Sequence, residues 1–275
     1  MPFIPSSFNR LRPKPTVILL GVIVLFGALV LPLIGSNLKD VLTPSTKNPS
    51  IVYSVFHDQF DEIYLSSPGK TNQPQLLAQI GRLTSHSIRP ANGVFKNKIA
   101  YIAIPTKSKK LTKIGTLWTL NLTTGQRTSL ATDADPTNPP KWLDGGDTLL
   151  YKRVKVNQQE LITINLKSRI KEIIFSENFG QPPYKANFGG IYPVGQDEDN
   201  NILFARLTSN GTDVLAVSRT SGETTDLFHA SNEFARDFSL SPSKTQLSYL
   251  IAVEKFEQLN YQTAIYDLSN QNLLI

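Results

Sequence analysis

The chain has 275 residues, of which 40% are hydrophobic, so it can form one large globular domain or two small ones. It contains no cysteine, which excludes a disulfide framework, a thiolate metal site and lipid attachment through cysteine. The net charge is +6, but without Arg10, Arg12 and Lys14 the chain keeps 25 basic and 22 acidic residues, a balance of only +3. So small an excess argues against a nucleic acid as the partner.

An apolar segment follows these three basic residues. Residues 17–34 carry no charged side chain. As a helix they would be about 27 Å long, close to the bilayer hydrocarbon thickness of about 30 Å. The run is longer than that of a signal peptide, and the sequence around Gly35 and Ser36 is a poor cleavage site. We therefore predict an uncleaved transmembrane signal anchor at residues 17–35; a cleaved signal peptide and a buried helix are the alternatives.

The basic residues also predict the orientation of this anchor. They precede the apolar segment without any acidic residue, whereas Lys39 and Asp40 follow it. The positive-inside rule then makes residues 1–16 a cytoplasmic N-terminus and places the rest of the protein outside the cytoplasm, in a periplasm or outside the cell. Residues 36–50 are polar with two prolines and are predicted to be a linker.

From Ile51 onward the sequence predicts an all-β domain that covers residues 51–275. Short runs of β-branched and aromatic residues alternate with clusters of Gly, Asn, Asp and Pro. One run recurs as IVYS, IAYI, LLYK, ILFA and LSYL, with its aromatic side chain at Tyr53, Tyr101, Tyr151, Phe204 and Tyr249. The steps between these aromatic residues are 48, 50, 53 and 45 positions, so the domain consists of five repeats.

Each aromatic run is predicted to be the second of four strands. In the third repeat, ELITINL and KSRIKEIIF follow the run, and a strand ending at Trp142 precedes it. The acidic glycine turn of KWLDGGDTLLYK joins that first strand to the second. Four-stranded antiparallel units of this length have the size of a β-propeller blade.

The hairpins PPKWLDGGDTLLYK at 139–152 and FSLSPSKTQLSYL at 238–250 resemble the repeat W-S-P-D-G-K-x-L-A-Y. This repeat is found in the TolB propeller family and in the amino-terminal propellers of prolyl oligopeptidases. The resemblance implies a six-bladed ring, but only five repeats are present and the first lacks a good first strand. We therefore predict about five four-stranded blades, or an incomplete six-bladed ring. Residues 40–43 could fill the gap, the ring could stay open, or further blades could follow in a longer parent protein.

The sequence carries no motif for catalysis or for metal binding. It has no G-x-S-x-G element, and His57, His86 and His229 belong to no H-E-x-x-H motif. The acidic segment DEDNN at 197–201 begins like a calcium loop but lacks the required glycine and the final glutamate, so a hairpin turn is predicted. We predict no enzymatic activity, no metal site and no cofactor.

Three loops are predicted to lie on one face of the propeller, namely the basic run 107–113, the aromatic insertion 176–193 and the loop 256–261. Aromatic loops on a rigid scaffold are a common way to bind peptides or glycans. The candidate binding residues are Lys107, Lys109, Lys110, Phe179, Tyr184, Phe188, Phe256 and Tyr261. The alternatives are that the rings cover a junction between blades and that the lysines are only solvated.

These features together predict a membrane-anchored, extracytoplasmic propeller that is a non-catalytic binding or scaffolding module for a protein or a cell-envelope polymer. One alternative is the substrate-gating propeller of a larger hydrolase whose catalytic domain is absent from this chain. Another is a glycosidase, which needs two carboxylates in the channel. The inner strands around Trp142, Tyr192 and Phe238 offer only Asp237. A third is the remnant of a decayed gene.

Overall fold

A computed structural model describes residues 51–58, 60–66, 73–80, 89–90, 97–104, 114–178, 189–255 and 258–274. The N-terminus, anchor and linker predicted at residues 1–50 lie outside these residues. All described residues belong to one compact unit and form strands joined by turns and connections, without a helix. Accordingly, the described part of the chain holds no helix that is long and apolar enough to cross a membrane.

The strands follow the five repeats in chain order. Repeat 1 contains β1 (Ile51–Phe56), β2 (Asp61–Ser66) and β3 (Gln75–Ile80). Repeat 2 contains β4 (Arg89–Pro90), β5 (Lys98–Ala103), β6 (Gly115–Asn121) and β7 (Arg127–Ala134). Repeat 3 contains β8 (Lys141–Trp142), β9 (Thr148–Lys155), β10 (Gln158–Asn165) and β11 (Lys171–Asn178). Repeat 4 contains β12 (Gly190–Gln196), β13 (Ile202–Thr208), β14 (Gly211–Val217) and β15 (Thr224–Ser231). Repeat 5 contains β16 (Ala235–Leu240), β17 (Gln246–Lys255), β18 (Gln258–Asp267) and β19 (Asn272–Leu273).

Within each repeat, every strand pairs antiparallel with the next, as predicted for repeats 2 to 5. The described residues of repeat 1 form three strands, and these too pair in chain order. Repeats 2 and 3 are joined by the pairing of Ala134 with Arg153, so their strands form one eight-stranded sheet. The hairpin of Trp142 and the acidic glycine turn is confirmed, because Trp142 pairs with Leu149 across that turn.

The recurring aromatic residues of repeats 2 to 5 pack between successive repeats. Each lies in the second strand of its repeat and is at most 2% exposed, whereas Tyr53 of repeat 1 lies in β1 and is only partly buried. Tyr101 packs in a core with Ile63 and Ala78 of repeat 1, and Tyr249 packs in a core with Leu203 of repeat 4. Burying a ring of this size stabilises a fold by about 1.5–3 kcal/mol. The regular spacing of these aromatic residues in the sequence therefore reflects the packing of each repeat against the preceding one.

A charged network joins repeats 2 and 3. Arg153 of β9 donates to Asp133 of β7 at 2.9 Å and to Glu160 of β10 at 2.5 Å, and Lys155 donates to Glu160 at 2.8 Å. Burial by itself would raise the pKa of Asp133 and of Glu160. Hydrogen bonds and charges from Arg153, Lys155 and Lys171 outweigh the burial, so the pKa of each carboxyl lies below its ordinary value.

We expect acid to weaken this junction. Because both folded pKa values lie below the ordinary values of 3.8 and 4.5, the stabilisation is full above those values and is lost as the pH falls through the folded pKa values. Chemical denaturation between about pH 7 and pH 3 measures this loss. Arg153→Met should reduce the acid dependence, whereas Arg219→Met, which removes an exposed arginine of the 218–223 turn, should keep it. An Arg153→Met variant with unchanged acid dependence would contradict the assignment.

Candidate functional site

Most of the binding residues predicted from sequence lie outside the described residues. These are Lys107, Lys109, Lys110, Phe179, Tyr184, Phe188 and Phe256. Tyr261 is described: it lies in β18 opposite Ala252, it is 39% exposed, and the guanidinium carbon of Arg236 lies 4.0 Å from its ring centroid. A cation at this distance from a ring is attracted to it.

The antiparallel order gives the domain two different ends. One end carries the first hairpin turns, for example 197–201 and 241–245, and we call it the turn face. The other end carries the hairpins between second and third strands, such as 209–210, and the connections between repeats, such as 135–140 and 232–234. We call this end the loop face. The three loops predicted to bind lie mostly outside the described residues, and Tyr261, near the start of β18, lies near the loop face.

The turn face is held together by polar contacts among three repeats. Lys244 in the turn of repeat 5 pairs with the Asp144 carboxylate of repeat 3 and donates to the Asp197 carbonyl of repeat 4 at 3.0 Å. The Asp197 carboxylate accepts two hydrogen bonds from Asn201, at 2.8 and 2.9 Å, which confirms a hairpin turn in the DEDNN segment. Within the described residues, no three His, Asp or Glu side chains converge as a metal site.

A cavity of about 380 Å³ opens between the first strands of repeats 3, 4 and 5. Its lining combines residues of the connections 135–140 and 232–234 with residues of β8, β12 and β16, so it lies toward the loop face. Its lining residues include Asn138, Lys141, Tyr192, Phe234, Arg236 and Asp237. A cavity of this volume can take an amino-acid side chain or a sugar ring.

Aromatic rings and a charged pair form the walls of this cavity. The rings of Tyr192 and Phe234 meet edge to face with centroids 6.4 Å apart. Arg236 lies over Tyr261 and contacts the Asp237 carboxylate at 3.4 Å. Asp237 has a φ of +57° at a β-bulge in β16, and the bulge leaves both charged side chains exposed. The exposed ends offer hydrogen-bond donors and acceptors beside apolar rings.

Two buried lysines, one lining the cavity and one behind its wall, hold these elements in place. Lys141 is 8% exposed and donates to the Phe238 carbonyl at 3.3 Å, which ties repeat 3 to repeat 5. Lys152 forms a buried ion pair with Asp135 at 3.1 Å, and its ammonium lies 4.9 Å from the ring centroid of Tyr192. Burial lowers the pKa of Lys152 because it disfavours the charged form, and Asp135 opposes this effect. Burial, together with Asp135, raises the pKa of Tyr192.

The connection that carries Phe234 is held from the neighbouring hairpin. The Thr212 hydroxyl donates to the Glu233 carbonyl and accepts from the Ala235 amide, both at 3.0 Å. His229 approaches Asp213 at 2.7 Å and Asn232 at 3.0 Å through its two ring nitrogens. Through these contacts, β14 and β15 hold the connection that forms part of the cavity wall.

No known family model matches the chain, and no curated protein resembles it in sequence. Solved structures do resemble its fold. TolB from Acinetobacter baumannii superposes with a TM-score of 0.58 at 16% identity, over 83% of this chain and 54% of that one. A putative TolB from Agrobacterium tumefaciens gives 0.52 at 12% identity, over 83% and 80%. A prolyl endopeptidase gives 0.50 at 14% identity, over 84% and 34%. The fold is that of a TolB-like β-propeller.

The predicted propeller fold is thereby confirmed. The similarity between this chain and these structures concerns the fold alone. The chain spans about half the length of the Acinetobacter TolB chain and about a third of the prolyl endopeptidase chain. In propeller terms, β4, β8, β12 and β16 are the inner strands of their blades, and the cavity lies among three of them.

Sequence reasoning placed Tyr192 and Asp237 on inner strands but missed Phe234, Arg236 and Lys141 as cavity residues. The repeat itself holds a usable signal. Pro139, Tyr192 and Arg236 stand 12 or 13 positions before the aromatic residue of their own blades, and all three line the cavity. This offset selects a position in or just before the inner strand in each of the three blades, and all three positions contribute to the loop-face cavity.

Proposed function

We propose that this protein is a membrane-anchored, extracytoplasmic β-propeller that binds a protein or a cell-envelope polymer at its loop face and catalyses no reaction. The observation that carries the proposal is the loop-face cavity. It combines the exposed Arg236–Asp237 pair with the Tyr192 and Phe234 rings, which suits recognition of an extended chain with alternating polar and apolar groups.

The surroundings of the cavity support a fixed binding surface. Its walls stand on inner strands whose backbones are paired within the sheets. The buried contact of Lys141 ties repeat 3 to repeat 5, and that of Lys152 holds the connection at Asp135 against β9. A preformed site loses little conformational entropy when a partner binds. The predicted anchor at 17–35 would keep that surface at the membrane, where cell-envelope partners are concentrated.

Site-specific photo-cross-linking in the producing cell tests this proposal. A photoreactive side chain at position 237, which is exposed at the cavity, should cross-link to a partner protein or to envelope polymer. The matched control is position 223, an exposed residue of the turn between β14 and β15, on the turn face. Arg236→Glu should reduce the cross-link at 237 while leaving the melting temperature nearly unchanged. Equal cross-linking from 237 and 223 would overturn the loop face as the binding surface.

The fold likeness to a prolyl endopeptidase favours a second candidate, the substrate-gating propeller of a larger hydrolase. In that case the loop face would dock against a catalytic domain, and the partner cross-linked at position 237 would be a hydrolase. A hydrolase domain encoded directly downstream would support this candidate. A non-hydrolytic envelope component at position 237 would support the first.

A further inference from the structure

His229 lies near the end of β15, the last strand of repeat 4. Its Nδ1 is 2.7 Å from the Asp213 carboxylate of β14, and its Nε2 is 3.0 Å from Oδ1 of Asn232, the first residue after β15. Both ring nitrogens therefore face oxygen acceptors. A protonated imidazole can donate to both oxygens. A neutral imidazole has a single N–H, so its bond to Asp213 loses the assistance of the positive charge, and the contact with Asn232 persists only if that amide turns to donate its NH2.

The residues that His229 joins belong to the wall of the loop-face cavity. Asn232 opens the connection 232–234, and Phe234 at its end lines the cavity. Thr212 holds Glu233 and Ala235 through its hydroxyl, a contact that does not titrate in this range. The Ser231 hydroxyl also accepts from the Glu233 amide at 3.0 Å, and the Phe234 carbonyl accepts from the Ala252 amide at 3.2 Å. His229 is thus the titratable contact at the start of the connection, and the other contacts hold its middle and its end.

We propose that His229 is a pH-dependent latch on the loop-face cavity: when protonated it ties Asn232 to Asp213 and holds the connection that carries Phe234. The latch rests on the proposed function, since it regulates the surface assigned to partner binding. On deprotonation the tie through His229 weakens, and the connection is held mainly by the Thr212 hydroxyl, by the Ser231 hydroxyl and by the Ala252 amide. The cavity wall is then looser, and a partner would bind less tightly because it must order the connection first.

Charges around the ring favour this assignment. Asp213 faces His229 directly, and Arg206 of β13 shares that carboxylate at 3.8 Å while contacting Asp226 of β15 at 3.6 Å. Glu233 adds a carboxylate on the connection. The hydrogen bond to Asp213 is the main cause that raises the pKa of His229 above its ordinary 6.5, partial burial opposes it, and Asn232 adds to the rise. The latch therefore opens as the pH rises through the folded pKa, which lies above 6.5, and closes as the pH falls below it.

Hydrogen–deuterium exchange of the full chain in detergent micelles tests the latch. Peptides that cover 228–238 are followed between about pH 5.5 and 8.5, with each rate divided by the intrinsic rate at that pH. In the wild type, the normalised exchange of 231–234 should become about two- to fivefold faster at high pH, the range for a largely exposed charged contact. His229→Gln should remove this pH dependence, and His57→Gln, at the other described histidine, should keep it.

A fluorine label on Phe234 then tests whether the latch reaches the cavity. Its resonance should shift with pH in the wild type and stay constant in His229→Gln. Wild-type exchange that does not depend on pH overturns the latch, and so does a pH dependence that persists in His229→Gln. A Phe234 resonance that does not shift with pH in the wild type also overturns it. Cross-linking at position 237 is scored separately at both pH values. If no cross-link forms at either pH but the exchange still depends on pH through His229, the proposed function is wrong and the pH-dependent contact is still supported.

Discussion

Gly211→Ala should destabilise the domain by about 3 kcal/mol or more, the range of mutations that force buried backbone apart. Gly211 closes the hairpin between β13 and β14 with a φ of +111°, which an alanine adopts only under strain. A Cβ at this position would lie 2.1 Å from the Ser231 carbonyl oxygen and 2.7 Å from backbone atoms of Asn232. Because these neighbours are backbone, the connection to the fifth blade would have to move.

Gly222→Ala is the matched control for that prediction. Gly222 also has a positive φ, +74°, but no heavy atom beyond its two chain neighbours lies within 4 Å of where its Cβ would be. The free energy of unfolding of this variant should fall only by the cost of placing an alanine in a left-handed conformation, about 1–2 kcal/mol. Urea denaturation followed by circular dichroism gives both free energies of unfolding. Equal losses in the two variants would show that the close approach to Ser231 contributes nothing.

Lys152→Met should cost about 3–5 kcal/mol, the typical loss when one partner of a buried ion pair is removed. Met keeps most of the volume of the side chain but leaves the buried Asp135 carboxylate without its cation. Thr137 and Asn138 still donate to Asp135, at 2.7 and 3.0 Å, but they cannot neutralise its charge. Tyr192 also loses the ammonium at 4.9 Å, so the cavity wall should loosen together with the fold.

Lys167→Met provides the comparison for the buried pair. Lys167 lies 3.9 Å from Asp147, and its side chain is 59% exposed, so its removal should cost less than about 1 kcal/mol. Thermal and urea unfolding of the two variants measure the difference. A Lys152→Met protein as stable as Lys167→Met would show that Asp135 does not need its ion pair.

The five repeats could be predicted from the sequence because the residue pattern that defines each repeat lies within single strands and their turns. The second strand must bury one aromatic ring against the preceding blade, and Tyr101, Tyr151, Phe204 and Tyr249 satisfy this demand at nearly regular intervals. The acidic glycine turn after Trp142 and the DEDNN hairpin were predictable for a similar reason, since turn residues fix φ angles and cap their own backbone.

The cavity could not be predicted in the same way, because it is made by residues far apart in the chain. Lys141 reaches the Phe238 carbonyl, and Tyr192 meets Phe234, only when three blades stand side by side. The bulge at Asp237 also interrupts the alternation of side chains on which a strand prediction depends.

By itself, the sequence therefore determined the all-β class, the repeats and the strand order of each blade, since these follow from hydrophobic period and turn chemistry within about fifty residues. The predicted anchor also comes from the sequence and remains a prediction. Only the tertiary structure decided which side chains share the loop-face cavity and where His229 stands relative to Phe234. Contacts across separate blades depend on sheet register and on the packing of one blade against the next, and no local pattern encodes either.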